Sequence, residues 1–302
     1  MHAGLVRDVL SLLLGFLTGV LSALFGIGGA IVSNPGLRAL GAAPLVAVGT
    51  TLPSILPGAI SGTLRYRREG LIDWRLITPA AAAGLLAVVG GSLLSHAVPG
   101  EGHLLLLIIA LLLAFTAWRT AFTRGVEDDP SSPAGAVDNP EHLDPRPATL
   151  PLRGASQRRV GVSRADTSRP GSPGSDARQR RVAAGIGLVA GLLSGLLGIG
   201  GGVVMVPAFS ELLSLSLKSA IATSLVCVGI FGVPAAITHA FLGDVDWRLA
   251  ILLMIGVIPG AWVGAALTLR TAERRLRLAV GVFLAVVALV YLVTETRALL
   301  AL

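Results

Sequence analysis

The chain has a single cysteine in 302 residues, Cys227, which excludes an internal disulfide and a multi-cysteine metal site. Charge is scarce as well: 14% of residues are charged against 53% hydrophobic, and the mean hydropathy is +0.79. A soluble core of this size does not need so much apolar surface, so the bilayer is the solvent for most of the chain. The usual catalytic inventory is missing too. No apolar run carries paired carboxylates or a His–Glu zinc motif. Gly26, Ile27, Gly28 and Gly29 lack the spacing and βαβ setting of a dinucleotide loop, and no P-loop lysine follows them. No enzyme activity, cofactor or metal is expected. A cleavable signal peptide is not expected either, because the apolar run from Val9 outlasts a signal core of roughly 7–15 residues. The formal net charge of +7 sits at the ends of apolar runs and in one polar linker. That is the pattern of membrane topology signals, not of nucleic-acid binding.

What the chain does have is a duplication. Gly15, Gly19, Ser22, Gly26, Gly28 and Gly29 return as Gly187, Gly191, Ser194, Gly198, Gly200 and Gly201, and Pro35 returns as Pro207. Further on, Asp73, Trp74 and Arg75 return as Asp246, Trp247 and Arg248. Two repeats follow, 1–122 and 182–302. Between them, 123–181 is rich in Pro, Ser, Gly and Arg and poor in aromatics, which reads as a disordered cytoplasmic linker.

Six runs are long enough to cross a hydrocarbon core, near 44–64, 75–96, 103–122, 217–242, 247–269 and 276–294. The opening segments of the repeats, near 9–40 and 182–214, differ from these. Each breaks in the middle at glycines, and the half before the break covers about 24 Å at ~1.5 Å per residue, short of a full crossing. Charge placement decides their topology. If both crossed, with the N-terminus inside, Arg270, Arg274, Arg275 and Arg277 would lie outside, against the positive-inside rule. If each dips in and returns, Arg65, Arg67, Arg68, Arg75, Lys218 and the Arg270–Arg277 group all fall inside. The expected fold is therefore an all-α integral membrane protein of two inverted repeats. Each has a glycine-broken, re-entrant opening segment and three transmembrane helices. Paired broken segments at matching positions of a duplicated membrane protein point to a transport site.

The candidate site residues follow from that break. A helix that resumes inside the membrane presents free N–H groups and a positive dipole end, for which an anion is the natural partner. This singles out Gly28, Gly29 and Ala30 in the first repeat and Gly200, Gly201 and Gly202 in the second. Thr50 and Thr51 recur as Thr223 and Ser224, early in the next helix, as hydroxyl donors or as back-bonds to their own helix. Asn34 has no polar counterpart, since Val206 occupies its place, and is a candidate asymmetric contact. His239, aligned with Tyr66, is the histidine inside a span and a candidate for proton coupling or for an interfacial anchor. The small-residue stripes through Gly15, Gly19 and Ser22 and through Gly187, Gly191 and Ser194 suit close helix packing, within the chain or in a homodimer.

Gly198 to Gly202 with the later Pro207, Ala222-Thr223-Ser224, His239 and Gly243 to Trp247 resemble the sulfite exporter TauE/SafE family, also called the toluene-sulfonate uptake permeases. The first half departs from this pattern at Ala30, Asn34 and Tyr66. The resemblance covers about 9–122 and 182–296 and implies movement of sulfite, sulfonates or related small anions. The expected function is a multi-pass secondary transporter of the inner membrane, carrying such an anion by alternating access. The alternatives are another small organic anion as substrate, or a membrane scaffold recruiting partners through the linker.

Overall fold

In the computed structural model, residues 2–95, 111, 114, 173–198 and 200–300 are described. The expected span near 103–122 and most of the linker lie outside them, apart from 111 and 114 in the span and 173–181 in the linker. Two units divide the chain, Met1–Thr123 with Ala177–Leu302, and Arg124–Asp176; the fold below is that of the first.

Nine helices make up the described residues: α1 His2–Phe25, α2 Ala30–Ala39, α3 Pro44–Arg68, α4 Trp74–Ser95, α5 Pro173–Leu197, α6 Gly202–Leu212, α7 Leu217–Leu242, α8 Trp247–Arg270 and α9 Glu273–Leu300. Among them, five are long and apolar enough to cross a membrane: Val6–Phe25, Leu45–Arg68, Trp74–Leu94, Leu217–Leu242 and Trp247–Arg270. The exposed large hydrophobics along these helices, Leu86 and Ile251 among them, suit a lipid environment.

Local chemistry explains where the helices start. Asp246 caps α8, its carboxylate accepting from the Arg248 and Leu249 N–H groups, and Asp73 accepts from the Arg75 N–H at the start of α4. Pro44 opens α3, where a missing N–H costs nothing. Glu273 reaches from the start of α9 to accept the Leu217 N–H of α7 at 2.6 Å.

Two expectations need correction. The half of the first segment before its break is not short: Val6–Phe25 has 20 residues, about 30 Å at ~1.5 Å per residue. The helix begins at His2, well before Val9, and the Asp8 carboxylate in its second turn accepts from Arg248 Nη2 of α8 at 2.7 Å. In addition, residues 173–181, assigned by composition to the linker, are the first turns of α5. Pro173 at the first position and Asp176 in the first turn, near the positive dipole end, favour a helix there without any core.

The small-residue stripes fix how the helices pack. Gly15 and Gly19 lie against the backbone of α8 at Leu253 and Val257, so α1 and α8 run parallel, and a side chain at Gly19 would collide with the Val257 carbonyl. Gly187, Gly191 and Gly195 meet Ala80, Gly84 and Val88 in the same way, setting α5 parallel to α4. The first helix of each half thus packs on a later helix of the other half. Both stripes are occupied within the chain. Helices α3 and α7, which occupy matching places in the two halves, cross antiparallel: Gly62 meets Leu225, Gly229 meets Ala59, and Gly232 meets Ile55.

Candidate functional site

The break in each opening segment falls where the glycines are. Helix α1 ends at Phe25 and α2 begins at Ala30; α5 ends at Leu197 and α6 begins at Gly202. Gly26, Gly28 and Gly29 have φ of 69°, 89° and 74°, and Gly198, Gly200 and Gly201 repeat this with 64°, 84° and 68°. These left-handed values are open to glycine and strained for other residues, so glycine lets the chain turn back on itself. Helix α2 then doubles back along α1, Gly36 facing Leu14 and Gly29 facing Thr18 and Ser22.

The two tips meet. A Cβ at Gly200 would lie 3.5 Å from Gly28 Cα and 3.6 Å from the Ile27 carbonyl, and Gly202 stands against Gly26 and Ile27. Phe25, Ile27 and Ile31 from the first tip and Val203 from the second share one apolar cluster with Val280, Leu284, Val287 and Ala288 of α9. Phe25 stacks on Phe283 at 4.8 Å. Gly28, Gly29, Ala30, Gly200, Gly201 and Gly202 are all buried.

The backbone at the tips is partly self-satisfied. The Ala30 N–H donates to the Gly28 carbonyl at 2.9 Å, and the Val32 and Ser33 N–H groups donate to that of Gly29. In the second tip, the Val204 and Met205 N–H groups donate to the Gly201 carbonyl.

The hydroxyl residues divide into two pairs. Thr50 Oγ1 accepts from the Asp246 N–H at 3.0 Å, and Thr223 Oγ1 accepts from the Asp73 N–H at 3.1 Å. Thr50 is the counterpart of Thr223, and Asp73 of Asp246, so one bond is the mirror of the other across the duplication. Thr50 sits near the start of α3 and Asp73 just beyond its end, so the two bonds tie the halves together at opposite ends of that helix. The second pair is unlike. Thr51 donates to Asn34 Oδ1 at 2.8 Å or to the Val48 carbonyl at 2.9 Å. Ser224 donates to the Gly26 carbonyl at 2.8 Å or to that of Ile221 at 3.1 Å.

Asn34 is 1% exposed, and its Nδ2 has no hydrogen-bond acceptor; Thr18 Oγ1 and Ser194 Oγ are in the same condition. Sequence reasoning read Ser194 as a packing residue of the second small-residue stripe and passed over Thr18, which sits beside Gly19 in the first. His239 and its counterpart Tyr66 are fully buried within the protein, each close to the end of its helix. The Tyr66 hydroxyl donates to the Ala23 carbonyl at 2.6 Å, while His239 Nδ1 lies 3.0 Å from the Asp244 carboxylate.

The family model described as sulfite exporter TauE/SafE matches residues 11–291, across both broken tips. The chain belongs to this family. Among curated relatives, it is 28% identical over 270 residues to the probable membrane transporter protein YunE of Bacillus subtilis, covering 86% of each chain. It is 27% identical over 266 residues to YjnA of the same organism, with 88% of this chain and 92% of the relative covered. A probable membrane transporter protein of Xylella fastidiosa is 26% identical over 258 residues, with 85% and 83% covered. No solved structure matches the chain. As a TauE/SafE protein the chain is a multi-pass membrane transporter, and its apolar helices suit that role. Asn34 and Thr51 are drawn together in this fold and Ser224 is drawn to the first tip at Gly26, whereas Thr50 and Thr223 are each spent on the other half's helix start.

Proposed function

We propose that this TauE/SafE protein is a secondary transporter of the inner membrane that moves a small sulfur-containing anion, such as sulfite or a sulfonate, by alternating access. The observation that carries the reading is the Asn34 carboxamide beside the first tip, its oxygen held by Thr51 and its Nδ2 buried without an acceptor. A buried donor left unpaired costs about 1–3 kcal/mol, which an arriving acceptor removes. The surroundings favour a negatively charged one. The buried polar side chains among the described residues are Ser, Thr, Asn, His and Tyr, with no carboxylate. Helices α2 and α6 both begin at buried glycines, with positive dipole ends inside the protein.

In this reading Gly28, Gly29, Ala30, Gly200, Gly201 and Gly202 form the backbone wall of the substrate site, Asn34 supplies the donor, Thr51 holds the Asn34 carboxamide in place, and Ser224 braces the first tip. The repeats are inverted and each opening segment re-enters. The antiparallel crossing of α3 and α7, the doubling back of α2 and the reciprocal threonine bonds support that arrangement. Thr50 and Thr223 then act as latches at the two ends, one opening while the other holds. His239, buried and paired with Asp244, carries the coupling proton.

The test is flux in proteoliposomes. Purified protein should move sulfite, and Asn34→Val, correctly inserted, should raise the half-saturating concentration at least tenfold. Sulfite flux that is absent while a small carboxylate is carried would overturn the sulfur-anion assignment. Full sulfite flux in Asn34→Val would overturn the site.

A further inference from the structure

Away from the tips, the end of α3 carries an arrangement that transport does not explain. The guanidinium carbon of Arg65 lies 5.1 Å from the ring centroid of Trp262 on α8, and that of Arg68 lies 5.5 Å from the same centroid. Two cations therefore share one indole. The ring attracts each by about 0.5–2 kcal/mol, but the cations repel one another at this range. Among the described residues, neither arginine bonds a carboxylate, and the Arg65 Nε is buried without an acceptor. Trp262 is 37% exposed, so the group opens to the surroundings of the helix bundle.

The duplication makes the arrangement more telling. The counterparts of Arg65, Arg68 and Trp262 in the other half are Thr238, Phe241 and Val89. Phe241 is 89% exposed and Val89 is 39% exposed, so the equivalent place in the other half presents exposed apolar side chains where this one is doubly basic. Arg67 and Arg270 lie on the same basic side, at the ends of the parallel helices α3 and α8. A Trp beside arginines near the end of a spanning helix such as α3 has the composition of the interfacial belt of a membrane protein.

We propose that Arg65 and Arg68, held on Trp262, bind the phosphodiester of an anionic phospholipid in the leaflet on the arginine-rich side. A phosphodiester supplies the acceptor oxygens that the two guanidinium forks lack and relieves their repulsion, and each fork can take it bidentately. The acyl chains of the same lipid cover the exposed face of Trp262 and the neighbouring apolar surface of α8. A free phosphate would satisfy the forks but leave that surface bare, which is why a lipid is the occupant.

The experiment uses the full chain with Trp74, Trp118 and Trp247 changed to Phe, so that Trp262 alone fluoresces. Phosphatidylglycerol brominated near the headgroup is titrated into the protein in detergent micelles, with brominated phosphatidylcholine as the neutral arm and inorganic phosphate as a competitor. Saturable quenching by phosphatidylglycerol at a concentration at least about tenfold below that for phosphatidylcholine is expected, about 1.4 kcal/mol of preference. The preference should vanish in Arg65→Gln/Arg68→Gln. In Arg65→Lys/Arg68→Lys, which keeps both charges and guards against a folding defect, it should fall but persist. Equal quenching by the two lipids, or a preference unchanged in the Gln pair, overturns the proposal. So does displacement of phosphatidylglycerol by millimolar inorganic phosphate, which would assign the forks to a free anion.

Discussion

The two broken tips share a backbone and differ in chemistry. Both resume a helix after glycines of nearly equal φ, both run into a proline, and they touch each other at Gly28 and Gly200. Beside the first tip stand Asn34 and Thr51, bonded together. Beside the second, Val206 and Ser224 take those places, and Ser224 turns across to hold the Gly26 carbonyl of the first tip. The duplicated backbone is thus a scaffold, and selectivity has room to arise in one half while the other half braces it.

The largest effect should come from breaking what the tips share. Gly200→Leu places a side chain at φ 84°, at a Cβ position 3.1 Å from Val228 Cγ1 and against Gly28. The left-handed conformation alone costs about 1–2 kcal/mol for a non-glycine residue. Flux should fall to background in proteoliposomes, with insertion checked by size-exclusion chromatography. Gly90→Leu, with nothing within 4 Å of its Cβ, is the matched control and should transport normally. Next comes what the tips do not share. Asn34→Val copies the second tip into the first and should weaken substrate binding about 10- to 100-fold, since hydrogen bonds to charged groups contribute about 1.5–3 kcal/mol. The converse change, Val206→Asn, should leave the wild-type affinity within about threefold, because its neighbour Ser224 is already committed to Gly26.

How much of this was legible beforehand follows the same division. The positions of the breaks could be read from the sequence because only glycine takes those φ values cheaply, and the helix starts at Asp73 and Asp246 because Asp caps locally. Charge placement led to the re-entrant, inverted layout, with which the doubling back of α2 and the antiparallel α3 and α7 are consistent. Partners distant in sequence were hidden. Thr50 meets a backbone N–H 196 residues away, and no spacing rule reaches that far. The recurrence of both Thr50 and Asp73 in the second half was a signal that their roles are linked, but not that each serves the other half. The length of α1 was misjudged because its first turns are polar and held by a side chain from α8.

Thr50 and Thr223 give a finer test, since their bonds are equivalent by duplication but sit at opposite ends of α3. Each hydroxyl contributes about 0.5–1.5 kcal/mol, so a valine in its place should change the balance between the two open states several-fold. With Cys227 replaced by Ala and single cysteines introduced near either end, Thr50→Val should raise labelling at the α8 start. Thr223→Val should raise it at the α4 start. The same change in accessibility from both would mean that the two bonds are static struts.

The smallest effect is expected where neither half has a counterpart. Residues 125–172 belong to no repeat, and a transporter built from the two halves needs them only as a tether. Replacing them with about twenty Gly/Ser residues leaves a flexible connection of about 25 Å, and the replacement stops short of α5, whose first turns begin at Pro173. Sulfite flux should stay within about twofold of the parent. A loss of flux in protein that still inserts and folds would mean that the linker contributes to the transport cycle itself. Retained flux, with loss of a cellular phenotype, would separate a recruiting role for the linker from transport by the paired tips.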